Sequence, residues 1–198
     1  MVLSVTGLAV ERGGRLLFRD LSFSVAPGEV LAVQGRNGSG KSSLLRVLAG
    51  LLEAIGGRVS FKSPLSEDGG STAPGLDRGG EGGKPPVAPF PRYAGTSPAD
   101  AGEDLASTIH FCGHLDAVKP AMTVRETLSF WAVLYGGPKD GVARAMENWS
   151  LTSLADLPGQ YLSAGQRRRV ALSRLSLAFR PVWLLDEPSA ALDAPMKP

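Results

Sequence analysis

The fold is decided by Val30-Leu31-Ala32-Val33-Gln34 and the glycine-rich stretch after it, Gly35-Arg36-Asn37-Gly38-Ser39-Gly40-Lys41-Ser42. The stretch has the spacing G-x-x-x-x-G-K-[ST], which is typical of a loop that wraps a phosphate chain. The apolar run before it predicts a strand buried on both faces. Residues 41–52 predict a helix, because apolar residues fall on one face: Leu44, Val47, Leu48 and Leu51. The order of strand, loop and helix therefore predicts a nucleotide site.

Each part of this loop has a physical role. Glycines allow backbone N–H groups to turn inward around phosphates, and the following helix start adds partial positive charge. Lys41 can reach the β- and γ-phosphates, and the Ser42 hydroxyl can bind Mg²⁺. We therefore expect ATP and Mg²⁺ as cofactors. The expected nucleotide contacts here are Gly35, Arg36, Asn37, Gly38, Ser39, Gly40, Lys41, Ser42 and Ser43.

A second acidic motif lies near the end of the sequence. Residues 182–185 are an apolar run, Val-Trp-Leu-Leu, that predicts a fully buried strand, and Asp186 and Glu187 follow directly. Two adjacent carboxylates at the end of a buried strand are costly without a cation, and a nucleotide-bound Mg²⁺ supplies one. We expect Asp186 to bind the metal, directly or through water, and Glu187 to orient or deprotonate the attacking water.

The remaining elements alternate with these motifs. Residues 3–5 and 21–25 alternate apolar and polar side chains around a Gly13-Gly14 turn, which predicts an antiparallel pair, and residues 58–61 predict another strand. Thr123 and Glu126 have capping-box spacing before a helix that ends near residues 136–138. Residues 142–149 predict a weaker helix. A further helix is expected from Ser163, again with capping-box spacing to Gln166.

Residues 62–107 differ in composition from the rest of the chain. Nine glycines and seven prolines occupy these 46 positions, a share above that at which low-complexity sequence becomes the default. We interpret the stretch as a disordered surface insertion, because it offers few apolar groups to offset the entropy of ordering it.

Composition excludes several classes of protein. The net charge is +2 in 198 residues, and the Lys and Arg residues are scattered apart from residues 167–169, so nucleic acid is not an expected partner. We expect residues 167–169 to form a solvated or subunit-facing stretch. No apolar run reaches 18 residues, so no direct membrane span is expected. The single cysteine, Cys112, lies in an apolar run and is interpreted as a small buried residue.

The segment between the glycine-rich loop and the acidic motif contains a sequence that resembles a known family. Residues 162–166, Leu-Ser-Ala-Gly-Gln, resemble the LSGGQ signature of ABC ATPases with one glycine replaced by alanine, and residues 189–193 resemble the D-loop of that family. The resemblance implies an α/β P-loop NTPase with a RecA-like parallel core, an antiparallel β subdomain and a small helical signature subdomain. It implies that Ser163, Gly165 and Gln166 contact the nucleotide of a second copy in a head-to-tail homodimer.

Residues around the position of the Q-loop, a loop of ABC ATPases that usually contains glutamine, indicate a particular group within that family. Residues 113–131, Gly-His-Leu-Asp-Ala-Val-Lys-Pro-Ala-Met-Thr-Val and onward to Phe130-Trp131, are similar to the ATPases of the haem exporter used in cytochrome c maturation. His114 stands where most ABC ATPases have glutamine. We expect His114 to be catalytic through a ring nitrogen, with a loop histidine that binds nothing as the alternative.

The resemblance also implies an organisation and a location. Residues 1–198 would form one ABC ATPase domain, with residues 1–61 and 170–198 as the nucleotide-binding core and residues 120–169 as the signature subdomain. The subunit would pair with integral membrane permease subunits, peripherally on the cytoplasmic face of a bacterial inner membrane or on the mitochondrial matrix face. The family continues past the D-loop to a switch histidine, so the sequence is expected to be C-terminally truncated at Pro198. The alternatives are a soluble non-transport ABC ATPase and an ATP-binding form with little turnover.

Overall fold

The structure is a computed structural model that describes residues 1–62 and 108–189. The chain divides into two compact units, Met1–Asp100 and Ala101–Pro198. The glycine- and proline-rich stretch lies outside the described residues, apart from Lys62, as does nearly all of the D-loop-like segment.

The first unit contains a three-stranded antiparallel sheet in the order β2-β1-β3. Its strands are β1 (Val2–Arg12), β2 (Arg15–Val25) and β3 (Gly56–Lys62). The hairpin between β1 and β2 turns at Gly13 and Gly14, which have φ angles of 59° and 73° that favour glycine. The apolar side chains of β1 are buried: Leu3, Val5, Leu8 and Val10. The predicted antiparallel region and its turn are confirmed.

Two predictions in this unit are wrong. Residues 30–33 form no strand, and Val30 is 94% exposed, because in the described residues no neighbouring strand pairs with this run. Helix α1 (Lys41–Leu48) ends four residues earlier than expected. The amide of Gly50 bonds to the carbonyl of Val47, which tightens the chain into a turn, and Leu51 is left exposed.

The second unit contains a parallel pair of strands. Strand β4 (Ile109–Cys112) pairs with β5 (Val182–Leu185), with Ile109 opposite Val182 and Cys112 opposite Leu185. The strand at 182–185 is therefore confirmed, but its full burial is wrong. Leu184 is buried whereas Trp183 is 54% exposed, because successive side chains of a strand point to opposite faces and the face of Trp183 is less covered.

Three α-helices lie in the described residues of this unit: α2 (Val124–Tyr135), α3 (Gly141–Asn148) and α4 (Ala164–Ser173). Both predicted capping boxes are present. Thr123 caps α2 with Glu126, and Ser163 caps α4 with Gln166. Gly136, in the left-handed conformation, ends α2 as expected. The apolar faces of the helices form one core with the segments that connect them: Val124, Leu128, Ala132, Ala145, Met146, Leu151, Ala155, Leu162, Val170 and Leu177.

Candidate functional site

The glycine-rich loop of the first unit has a backbone that only small residues permit. Gly38 and Gly40 have φ angles of 80° and 97°, in the left-handed region. A Cβ atom on Gly35 would lie 2.7 Å from the Ser39 Oγ atom, and one on Gly40 would lie 3.2 Å from the Phe18 ring. The loop is exposed throughout residues 35–39. The fixed glycines of the motif are therefore required by the conformation itself.

Lys41 places its ammonium group over this loop. Its Nζ atom donates to the carbonyl oxygens of Gly35 at 2.7 Å and of Arg36 at 3.0 Å. The side chain therefore turns back toward the beginning of the loop. A positive charge lies where a phosphate chain wrapped by the loop would be bound.

The N-terminus of α1 offers further donors. Gly40 is its N-cap and has no side chain, so no side-chain cap satisfies the first N–H groups of the helix. Ser42 and Ser43 lie in this first turn, and Ser43 is buried. An uncapped helix start beside a lysine ammonium fits an anionic ligand. The residues present in this loop therefore fit the phosphates of a nucleotide.

The acidic residues of the second unit follow β5. Asp186 is only 5% exposed, and its amide donates to the carbonyl oxygen of Cys112 at 2.9 Å. Glu187 has a φ angle of 50°, which is unusual for a residue other than glycine, and its side chain is 56% exposed. The Oε2 atom of Glu187 lies 3.7 Å from the Nδ1 atom of His114. The structure thus brings together two residues that the sequence proposed for catalysis.

Arg168 is a buried residue beside these carboxylates that sequence reasoning missed. The expectation that residues 167–169 form a solvated or subunit-facing stretch is wrong for Arg168, whose side chain is 3% exposed. Its Nη2 atom donates to the carbonyl oxygens of Asp186 at 2.8 Å and Glu187 at 2.7 Å. Its Nη1 atom donates to the Gly113 carbonyl at 3.0 Å and the Asp116 carboxylate at 3.3 Å.

A signal for this burial existed in the sequence. Arg168 precedes Ala171, Leu172 and Leu175 by three, four and seven residues, which is the spacing of one helix face. These three residues are buried with Cys112 in one cluster. The position of Arg168 on an apolar face indicated a buried guanidinium. The same cluster confirms the interpretation of Cys112 as a buried small residue.

The signature segment at 162–166 forms the start of α4. The Ser163 Oγ atom accepts from the Gln166 amide at 3.1 Å, and the Gln166 side chain accepts from the Ser163 amide at 2.7 Å. Ser163 is exposed and Gly165 is partly exposed. The hydroxyl proton of Ser163 is not used in the capping box. This helix start therefore presents an accessible hydroxyl donor.

A buried histidine lies behind the acidic end of β5. His110 is 1% exposed, and its Nε2 atom lies 2.8 Å from the carbonyl oxygen of Ala178. Burial lowers the pKa of His110 below its usual value, and the nearby charges of Arg180 and Arg174 lower it further. The hydrogen bond to Ala178 acts in the opposite direction. This arrangement holds His110 neutral, with its proton on Nε2.

Oxygen donors suited to Mg²⁺ are present in both units. Ser42 supplies a hydroxyl in the first unit, and Asp186 supplies a carboxylate in the second. Within residues 1–62 and 108–189, no cluster of three or more His, Cys, Asp or Glu side chains could hold a metal ion by itself. The helices in the described part of the chain are all too short or too polar to cross a membrane.

The glycine-rich loop, the signature segment at 162–166 and the carboxylates after β5 follow one another along the chain in the order found in P-loop ATPases of the ABC class. The family model described as ABC transporter matches residues 18–190, and the chain belongs to this family. Within the family it groups with the cytochrome c biogenesis ATP-binding export proteins CcmA. The chain is 40% identical to the Rhodopseudomonas palustris (strain BisB5) protein over 193 residues, covering 98% of this chain and 79% of that protein. It is 44% identical to the Rhizobium meliloti (strain 1021) protein over 197 residues, with the same coverage.

Solved structures support the fold. An ATP-binding subunit of an ABC transporter matches with a TM-score of 0.70 and 21% identity over 98% of this chain and 69% of that chain. An ABC transporter ATP-binding protein from Pyrococcus furiosus matches with a TM-score of 0.69 and 22% identity, over 98% of this chain and 78% of that one. The predicted fold, an α/β P-loop NTPase, is confirmed. The predicted classes of ATP-binding ABC subunit and ABC-type ATPase are confirmed as well.

Proposed function

We propose that the chain binds and hydrolyses ATP as the peripheral subunit of a haem exporter used in cytochrome c biogenesis. The observation that carries the ATP-binding part is the loop at 35–42, where Lys41 lies over the loop carbonyls and α1 begins uncapped. The curated relatives, named as cytochrome c biogenesis ATP-binding export proteins, support the export role. The haem substrate rests on resemblance to this group.

The residues divide the work of hydrolysis. Lys41, with the loop amides, neutralises and positions the phosphates, and Ser42 and Asp186 are the residues that would hold the Mg²⁺ that the nucleotide brings. When bound, the metal supplies charge neutralisation at the β- and γ-phosphates. Glu187 accepts a proton from the attacking water or orients it. His114, 3.7 Å from Glu187, orients that carboxylate or the water beside it.

A second copy of the chain completes the proposed site. Ser163 and Gly165 are accessible at the start of α4, where a hydroxyl donor and backbone amides suit a γ-phosphate. In the proposed head-to-tail homodimer, this segment faces the nucleotide held by the phosphate loop of the other copy. Two ATP molecules are then enclosed by two chains.

The membrane part of the proposal follows from the same relatives. An export protein must act with subunits that span the membrane, and no helix in the described residues could do so. We therefore place the chain on integral permease subunits, at the cytoplasmic face of the inner membrane in a bacterium. A matrix-face position applies if the host is a mitochondrion.

Nucleotide binding and phosphate release by the purified chain test the enzymatic part. We expect a fluorescent ATP analogue to bind, and phosphate to be released in the presence of Mg²⁺ but not of EDTA. Failure of the wild-type chain to bind ATP would overturn the proposal. Co-purification with a polytopic membrane protein tests the transport part, and recovery with soluble scaffold proteins alone would contradict it.

A further inference from the structure

We propose that Arg168 is a positioning residue that holds the His114 loop and the Glu187 backbone in register for hydrolysis. The proposal rests on the proposed ATPase function and assigns a role that neither the motif nor the signature supplies. Arg168 lies in α4, inside the second unit, with the two segments that it joins.

The guanidinium group is enclosed by acceptors from two separate segments. One segment follows β4 and contributes the Gly113 carbonyl and the Asp116 carboxylate. The other follows β5 and contributes the carbonyls of Asp186, Glu187 and, at 3.4 Å, Pro188. Because β4 and β5 are parallel, their carboxyl ends lie at one edge of the pair. A planar fork with five N–H donors can span that edge.

The clamp coincides with an unusual backbone conformation. Glu187 has a φ of 50°, in a region that costs energy for any residue with a Cβ atom. Arg168 donates to the carbonyl oxygens of the two peptide groups that flank the Glu187 Cα atom. The distances are 2.8 Å to the Asp186 oxygen and 2.7 Å to the Glu187 oxygen. These bonds fix the peptide planes that determine where the Glu187 carboxylate points.

The same guanidinium fixes the partner of that carboxylate. His114 lies between Gly113 and Asp116, both of which accept from the Arg168 Nη1 atom. The side chains of His114 and Glu187 are 68% and 56% exposed, so packing restrains them little. Their separation of 3.7 Å therefore depends on the backbones that Arg168 joins. Loss of the clamp should disturb both segments together.

The proposal predicts a separation between catalysis and binding. Arg168→Gln should lower kcat for ATP by about 10²-fold, because a shift of roughly 1 Å in a catalytic group has that effect. KM for ATP should stay within about twofold, since the phosphate loop contributes the binding. Arg168→Lys keeps the charge but offers a single ammonium, and should give an intermediate kcat. Arg144→Gln replaces an arginine of α3 whose side chain is 62% exposed, and it is the control that should match the wild type.

Hydrogen exchange followed by mass spectrometry supplies the second readout on the same proteins. Amides of residues 113–116 and 186–188 should exchange roughly tenfold faster in Arg168→Gln, while α2 exchanges as in the wild type. A purely structural role would accelerate exchange across the whole unit and lower the melting temperature. Faster exchange in only one segment, or in neither, would overturn the clamp.

The outcomes separate this proposal from the proposed function. A wild-type chain that binds and hydrolyses ATP, with an unchanged kcat in Arg168→Gln, overturns the positioning role and leaves the ATPase function intact. A wild-type chain that does not bind ATP overturns the function, and the exchange pattern then decides the clamp alone. If Arg168→Gln does not fold, Asp116→Asn is the second variant, because it removes the charge of one acceptor. It should lower kcat by a smaller factor and speed up exchange at both segments.

Discussion

The loop at 35–42 and the acidic end of β5 are held in their conformations by different kinds of contact. The loop is exposed, built from glycines, and satisfied by contacts within eight residues, such as Lys41 to Gly35. The acidic end has a buried Asp186 and a backbone held by Arg168, which lies 18 residues away from Asp186 and 55 from Gly113. We therefore expect anion binding by backbone amides to be a local property of this chain, and the placement of the proposed catalytic carboxylate to depend on tertiary contacts.

This contrast predicts which substitutions affect binding and which affect turnover. Changes in the loop should weaken ATP affinity without disturbing the second unit. Changes around Arg168 and Glu187 should lower turnover and leave affinity unchanged. The predictions below test this division, beginning with the largest expected effect on ATP affinity.

Replacement of the loop lysine should give the largest loss of affinity. Lys41→Ala removes a charged donor to the phosphates, and we expect the Kd for ATP to rise by about 10²-fold. Isothermal titration calorimetry measures the change directly. Arg46→Ala, a cation in the last turn of the same helix, is the control and should bind as the wild type does. If Lys41→Ala bound ATP as tightly as the wild type, the loop could not be the region that determines ATP affinity.

Two loop glycines should differ in their sensitivity to a methyl group. Both have positive φ angles, so alanine at either position strains the backbone by about 1–2 kcal/mol. A Cβ on Gly40 also meets the Phe18 ring at 3.2 Å, whereas one on Gly38 meets nothing within 4 Å. We expect Gly40→Ala to weaken ATP binding more than Gly38→Ala, measured by the same titration. The reverse order would show that the loop conformation differs in solution.

The two capping boxes should separate stability from function. Thr123→Ala and Ser163→Ala each remove an N-cap and should lower the free energy of unfolding by about 1 kcal/mol. Only Ser163→Ala should also lower turnover, because its hydroxyl is proposed to contact the nucleotide of the second copy. Urea denaturation and phosphate release measure the two effects. Equal turnover in both variants would argue against the homodimer contact.

Buried His110 should make stability depend on pH. Burial lowers its folded-state pKa, so the unfolded chain takes up a proton first as the pH falls through the usual value near 6.5. Stability from this group is complete above that value and decreases below it, by at most about 1.4 kcal/mol per pH unit. Unfolding by urea at pH 7.5 and 5.5 measures the slope. His110→Gln keeps a donor for Ala178 and should reduce the slope, whereas an unchanged slope would assign it to other groups.

Sequence reasoning located what depends on local spacing. The loop at 35–42, the antiparallel hairpin, both capping boxes and the order of helices in the second unit follow from spacings of one to eight residues. Each is fixed by backbone requirements of neighbouring residues, such as φ > 0 at Gly13 and Gly14. The sequence also placed His114 and Glu187 in one site, through the resemblance to ABC ATPases.

Apart from the end of α1, the errors concern features that depend on distant parts of the chain. The run at 30–33 reads as a buried strand, but burial requires a neighbouring strand, and none pairs with it in the described residues. Trp183 is exposed because full burial needs cover on both faces of the strand. The charge of Arg168 predicts a solvated or subunit-facing position, but Arg168 shares a helix face with the buried Ala171 and Leu172. Its acceptors lie up to 55 residues away and have no local pattern.

The division of labour between the two regions is tested most directly at Glu187. ATP affinity and phosphate release are measured on one preparation of Glu187→Gln, which keeps the size of the side chain and removes its ability to accept a proton. Turnover should fall by about 10²- to 10⁴-fold, the usual contribution of a general base, while Kd for ATP stays within about twofold of the wild type. Unchanged turnover, or a loss of affinity parallel to the loss of turnover, would contradict the assignment of binding to the loop and catalysis to the acidic end of β5.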